Sequence, residues 1–302
     1  MAELRQRFFD GLAVNGIVGD TAVAIWEKLA AFANYGFPES HSVSFAYLVY
    51  ASAWLKYHHP AAFCAALLDA QPMGFYSPQS LTQDAVRHGV DVRTPDLNAS
   101  AAGATLEPTP RVGVGRDDSD PATWGFDGPA VRLGISSVRG IGDDLAIEVA
   151  AGRPYADVGD LARRVRLSTA QMEALATAGA FGCFADAEGN PLERRQAIWT
   201  AGAAAHTGDD RLPGIAVGME APRLPGMDEW EESVADLWST GVAPGGHPTR
   251  FLREDLDARG VLPAVALRDE ADTTIVKVAG VVTHRQRPAT ASGVTFLNLE
   301  DE

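Results

Sequence analysis

Three adjacent residues near the middle of the chain, Gly140-Ile141-Gly142, carry the clearest chemistry in the sequence. They lie in "VRGIGDDLAIEVA", Val138 to Ala150, between a short helical stretch, "LGISSV", and a helix expected to begin at Asp143. Glycine at 140 and 142 permits a tight turn and lets another backbone approach, because no Cβ stands in the way. The amide N–H groups that open the following helix then face outward, where a phosphate oxygen can accept from them. Ile141 is expected to tuck between the two helices, and Arg139 sets a cation beside the turn. A plain turn between two helices would use the same spacing, with Arg163, Arg164 and Arg166 as a solvated face, so both readings stay open.

The first reading matches the hairpin of a helix-hairpin-helix, which holds the backbone of duplex DNA without reading its sequence. A second, degraded copy follows in "VGDLARRVRLSTAQMEALATAGAF", where a Leu-Ser-Thr connector joins two helices. Between Val131 and Ala170 there are six Arg and five acids, while the whole chain of 302 residues carries a net charge of -15. That total speaks against indiscriminate coating of nucleic acid but leaves room for a local site.

The surrounding elements are read from periodicity. "TAVAIWEKLAAFANY" places Val23, Trp26, Leu29, Ala30 and Ala33 on one helical face, ending before Gly36 and Pro38. Val43 to His58 is apolar nearly all round, which predicts protein on both faces. Pro60 opens the next helix, and "SPQSLTQDAVRHG" predicts a helix capped by Ser77 and stopped at Gly89. "VDVRTPDLNAS" reads as extended and residues 101–128 as a loop or linker. Short helices continue to residue 205, and residues 206–272 form a connector containing the amphipathic "MDEWEESVADLWSTG". From residue 273, "TIVKVAGVVTHRQR" and "GVTFLNLEDE" alternate as two strands. Two strands do not close a sheet with a core, so the chain reads as part of something longer. Cys64 and Cys183 form no metal-binding or redox spacing. The charged start and the lack of a bilayer-length apolar run predict a soluble, cytoplasmic protein with no membrane contact.

Ser40 and His41 stand at the mouth of the apolar helix, where Ser40 would serve as a cap. His58 and His59 are adjacent and point to different sides, a poor metal pair. Asp118 with Asp120, Asp255 with Asp257, and residues 300–302 are not framed by a buried strand. They read as solvated charge, leaving no catalytic carboxylates, no metal site and no cofactor in this chain.

"YGFPESHSVSFAYLVYASAWLKYHHPAAFCAALLDAQPMGFYSPQSLTQDAVRHGVDVR" resembles the end of the fingers domain of bacterial C-family DNA polymerases, the DNA polymerase III alpha-subunit family. Its Phe-Pro-Glu-Ser-His, with "QPMGFYSPQSL", "GVAPGGHP" and "VAGVVTHRQRPATASGVTFLNLEDE", is similar to the error-prone, damage-tolerant branch. The resemblance covers nearly the whole chain apart from residues 101–128. It implies a mainly α fold: residues 1–100 as the fingers end, 129–205 as a tandem helix-hairpin-helix, and 273–302 as the first strands of a truncated OB-fold. Ser40, His41 and Tyr47 would then lie near the incoming nucleotide, although Glu39 replaces the Lys of replicative members. Arg139, Gly140, Ile141 and Gly142 would grip duplex DNA. Arg285, Arg287 and Phe296 would guide single-stranded template, with Phe296 as a core residue the other reading. The resemblance also implies Mg2+ for the parent enzyme, with mutasome accessory proteins and a sliding clamp as partners. The rival expectation is a non-enzymatic DNA-binding repair scaffold built from the same modules.

Overall fold

The computed structural model describes residues 2–34, 39–74, 76–109, 115–186, 189–205, 221–287 and 293–302, with side chains omitted for 2–4, 31–34 and 39–40. The chain divides into two compact units, residues 1–54 and 55–302. In the first, α1 (Ala2–Val14) and α2 (Asp20–Asn34) meet through Phe8, Phe9 and Trp26, with ring centroids 5.3 and 6.1 Å from the indole. Val23 and Leu29 of α2 are exposed, unlike the single buried face its periodicity predicts; Ala22 is buried instead. The third helix, α3 (Glu39–His58), begins in this unit. Its Val43, Tyr47, Leu48, Val49 and Tyr50 are exposed, so the covering expected on both faces is not supplied by the described residues. A helix apolar all round needs neighbours on several sides, and so short a unit offers few.

The second unit opens with α4 (Pro60–Asp69) and α5 (Pro78–Arg87). Both begin at a Pro, whose missing N–H costs nothing in the first turn. Ser77 Oγ accepts from the Ser80 amide, and Gly89 follows α5 at φ +79°, where glycine alone is unstrained. A three-stranded sheet follows, with β3 (Ala130–Arg132) at its centre. On one side it pairs parallel with β1 (Val92–Arg93), on the other antiparallel with β2 (Thr105–Glu107). Glu107 locks it, accepting from Arg93 at 2.8 Å and from Arg132 at 2.9 Å. Its carboxyl is held below the usual range, chiefly by Arg132. The sheet draws residues 105–107 out of the expected loop and packs Val92, Val131 and Leu133 against Ala61, Cys64 and Ala85.

Beyond the sheet, α6 (Asp143–Ala151), α7 (Val158–Arg164), α8 (Thr169–Thr177) and α9 (Arg194–Ala204) surround a second core. Leu161, Met172, Leu175 and Phe181 are fully enclosed there. Next come α10 (Glu229–Thr240) and α11 (Arg253–Ala258), then β4 (Val261–Leu262) paired parallel with β5 (Lys277–Val278). An antiparallel hairpin of β6 (Val281–Gln286) and β7 (Phe296–Glu300) ends the chain. The fold is mainly helical with a few small strands.

Candidate nucleic-acid interface

The turn before α6 is closed by the Ile141 amide donating to Val138 O at 3.0 Å. Gly140 adopts φ +78°, which an L side chain tolerates poorly. Gly142 is different: at φ -81° and ψ 168° it is ordinary extended backbone. A Cβ added at either position would meet nothing within 4 Å. Neither conformation nor crowding within the described residues therefore requires glycine at 142. Gly142 is the N-cap of α6 and supplies no side-chain acceptor. The Gly142, Asp143 and Asp144 amides find no acceptor among the described residues, so three donors stand open at the helix start. Ile141, only 5% exposed, lies in the core with Val138, Ala146 and Val149 and anchors the turn from beneath. Its side chain is thus unavailable to a ligand, and its amide is already spent on Val138 O. Asp143 and Asp144 flank the open amides with negative charge.

The second copy is built differently. Ser168 Oγ accepts from the Gln171 amide, and Gln171 Oε1 accepts from the Ser168 amide at 2.9 Å, a reciprocal cap that occupies the start of α8. The same Gln171 donates through Nε2 to Gly140 O at 3.0 Å, tying the two copies together. Arg164 is spent on Gly152 O, Pro154 O and Asp160 and lies over the Tyr155 ring. Arg163 approaches Asp160 at 3.8 Å, and Arg166 is exposed.

Arg139 lies beside the open hairpin with its guanidinium 5.2 Å from the Trp238 ring centroid, and its amide donates to Ser239 O at 2.7 Å. Both partners belong to α10, which the sequence placed in a connector. The helix is held further by Arg194, whose Nη1 meets Asp236 at 2.7 Å, and by Arg195, which pairs with Glu231. Burial pushes the Asp236 carboxyl up to about 6, against the pull of Arg194. The spacing of Trp230, Val234 and Trp238 marks one face of α10, but no local signal assigns that face to the hairpin.

The other expected site residues lie elsewhere. Ser40 stands at the start of α3 and its side chain is outside the described residues. His41 is exposed with its ring 4.5 Å from Phe45, and Tyr47 is 72% exposed. Arg285, Arg287 and Phe296 are all exposed on the β6–β7 hairpin. Phe296 is paired with Gln286 and Arg285 with Leu297, so Phe296 and Arg285 project from opposite faces. The terminal acids are not the solvated charge expected of them. Ser80 Oγ donates to Glu300 at 2.8 Å, Ala264 N to Asp301 at 2.6 Å, and Thr249 and Arg253 hold Glu302. Asp118 pairs with Arg116 at 2.6 Å but stays solvated, as expected, with its side chain 71% exposed. Among the described residues no three His, Cys, Asp or Glu side chains converge on a metal position. No described helix is long and apolar enough to cross a membrane.

These features define a mainly helical protein with a helix-hairpin-helix, and the helix-hairpin-helix motif family matches residues 89–197. The whole chain is 54% identical to proteins named error-prone DNA polymerase from Mycolicibacterium paratuberculosis and Mycobacterium tuberculosis, covering 26% of each. The Nocardia farcinica protein of that name is also 54% identical, with 25% of it covered. Over its full length this chain is homologous to a segment of the error-prone DNA polymerases, and it spans about a quarter of the length of those relatives.

Proposed function

We propose that this chain is the DNA-handling portion of an error-prone DNA-directed DNA polymerase acting in damage-tolerant synthesis, and that it grips duplex backbone through the hairpin at Gly140–Gly142. The supporting observation is Gly142, a glycine for which the described residues give no internal reason, beside three open amides. A phosphate oxygen needs both conditions, donors aimed outward and no side chain in its path. Arg139 adds a cation at the same edge. Binding of this kind is independent of sequence, because the contacts are to phosphate alone.

In this reading residues 1–100 complete the fingers, Ser40, His41 and Tyr47 lie toward the incoming nucleotide, and residues 129–205 are the tandem DNA clamp. Residues 273–302 begin an OB-fold in which Arg285, Arg287 and Phe296 meet single-stranded template. Arg285 and Phe296 lie on opposite faces, so they would meet the strand from different sides of the hairpin. The whole enzyme would use Mg2+, work in the cytoplasm, and meet a sliding clamp and accessory proteins. The described residues of this chain do not fit that metal, since no three His, Cys, Asp or Glu side chains converge among them, and Asp118, Glu300 and Glu302 are engaged by Arg, Ser or Thr. No catalytic step is assigned to them.

Titration of labelled mixed-sequence duplexes against the chain, at several salt concentrations, tests the reading. Affinity should be equal across sequences and fall linearly with salt on logarithmic axes. Affinity that depends on sequence, or no binding at low salt, refutes it.

A further inference from the structure

We infer that Trp238 of α10 is part of the DNA interface: it positions the Arg139 guanidinium beside the hairpin and is itself covered when duplex DNA is bound. The inference rests on the hairpin reading above and extends it to a helix beyond the residues that the motif family matches.

Several observations converge on this indole. It is 50% exposed although it stands on a helix whose other side is buried against α8. The Arg139 guanidinium lies over its ring, and the backbone bond from Arg139 N to Ser239 O fixes the two residues in register. Arg139 has no ion pair among the described residues, so its charge, held over the indole, is not neutralised by a carboxylate. An arginine held flat on an indole is partly immobilised before any ligand arrives, and less freedom is lost when it meets a phosphate. Arg139, Gly140 and Gly142 are exposed together, which makes Trp238 continuous with the hairpin surface.

The charge on α10 also suits this arrangement. Its acids would repel DNA if bare, yet Asp236 is paired with Arg194, Glu231 with Arg195 and Glu229 with Arg250 at 2.9 Å. The unpaired acids Asp228 and Glu232 lie toward the start of the helix, about 9 to 15 Å along the axis from Trp238. Trp230 stands at that acidic end and packs edge-on against Phe251, with centroids 5.9 Å apart. The apolar face therefore has two different ends, and only the Trp238 end is suited to a polyanion. A protein partner lying along the whole face would use Trp230 and Trp238 alike.

The test compares the intact chain with Trp238→Ala, Trp238→Phe, Trp230→Ala and Arg139→Ala, by anisotropy of a fluorescein-labelled duplex over a salt series. Trp238→Ala should weaken binding about two- to five-fold, the scale of one exposed cation–π contact. It should also flatten the salt slope, by no more than the change of about one expected of Arg139→Ala. The double variant Trp238→Ala/Arg139→Ala should be no weaker than Arg139→Ala alone. Trp238→Phe should retain most of the affinity, and Trp230→Ala should match the parent. The part of intrinsic fluorescence lost in Trp238→Phe should be the part that DNA changes in the parent. If the parent fails to bind DNA at low salt, the hairpin reading itself falls. If the parent binds and Trp238→Ala leaves affinity and slope unchanged, this inference alone is overturned. Equal losses from Trp230→Ala and Trp238→Ala overturn it too, and assign the face to another role. Should Trp238→Ala fail to fold, Trp238→Phe with an unchanged DNA-induced fluorescence response decides against it.

Discussion

Gly142→Asp is expected to separate stability from DNA binding, because the two hairpin glycines are glycine for different reasons. At φ -81° residue 142 accepts any L side chain, and nothing lies within 4 Å of the Cβ position. An Asp N-cap can accept from the open Asp144 amide two residues on, so the variant should gain a few tenths of a kcal/mol or remain neutral. The same carboxylate would occupy the donors a phosphate needs and add a negative charge. At a separation of about 5 Å the repulsion is ~1 kcal/mol in water and ~3 kcal/mol near a protein surface. Duplex affinity should therefore fall about 5- to 150-fold. Gly140→Ala is the counterpart: at φ +78° it should lose ~1–2 kcal/mol of stability despite equal free space. Urea unfolding followed by circular dichroism, together with duplex titration at fixed salt, reads both quantities. If Gly142→Asp destabilises the chain as much as Gly140→Ala, or binds DNA like the parent, the argument from an unneeded glycine is wrong.

The buried pair of Arg194 and Asp236 gives a pH signature. The Asp236 carboxyl titrates at about 6 in the folded chain, raised by burial, so its contribution to stability is full below the ordinary carboxylate range and is lost as pH rises through 6. Relative to Asp236→Asn, whose side chain stays neutral, the parent should lose stability as pH rises from 4 to 7, by up to ~3 kcal/mol, so that urea curves close together at pH 4 separate by pH 7, and a pH-independent difference would contradict the assignment. Asp236→Ala, which leaves Arg194 buried without its partner, should cost ~3–5 kcal/mol. Phe181→Ala removes a fully enclosed ring and should cost ~3–5 kcal/mol in the same unfolding assay. Burial pushes the Cys64 thiol up to about 12 and Cys183 to about 11, so iodoacetamide at neutral pH should label the folded chain slowly and the unfolded chain fast. Equal labelling rates would mean the thiols are not enclosed.

Local chemistry was legible in the sequence where a residue's own backbone needs decide its place. Ser77, Pro78 and Gly89 bound α5 in the roles read from their types, since capping acts within one turn. The family resemblance carried by the residues after Tyr35 agrees with the homology found along the whole chain. Contacts across long sequence separations were not legible. Nothing near Trp238 announces Arg139, a hundred residues earlier, as its neighbour. The terminal acids looked solvated because Ser80, Thr249 and Arg253, which hold them, lie far away in sequence. The two glycines of the hairpin looked equivalent in the sequence, and only the backbone angles separate the one that turns the chain from the one that leaves space. On α3, a periodicity that demanded cover could not say which residues would supply it.

The fastening of α10 bears on how the hairpin could be moved between proteins. A cassette excised at the limits of the matching motif, residues 89–197, would keep Arg194 and discard Asp236, and would keep the Arg139 amide and discard the Ser239 carbonyl. Both orphaned donors would sit at the newly cut surface, the Arg139 amide one residue before the hairpin. A graft that extends to Gly241 would bring its own counter-charge and acceptor, making the last turn of α10 the natural place to end a transplantable unit.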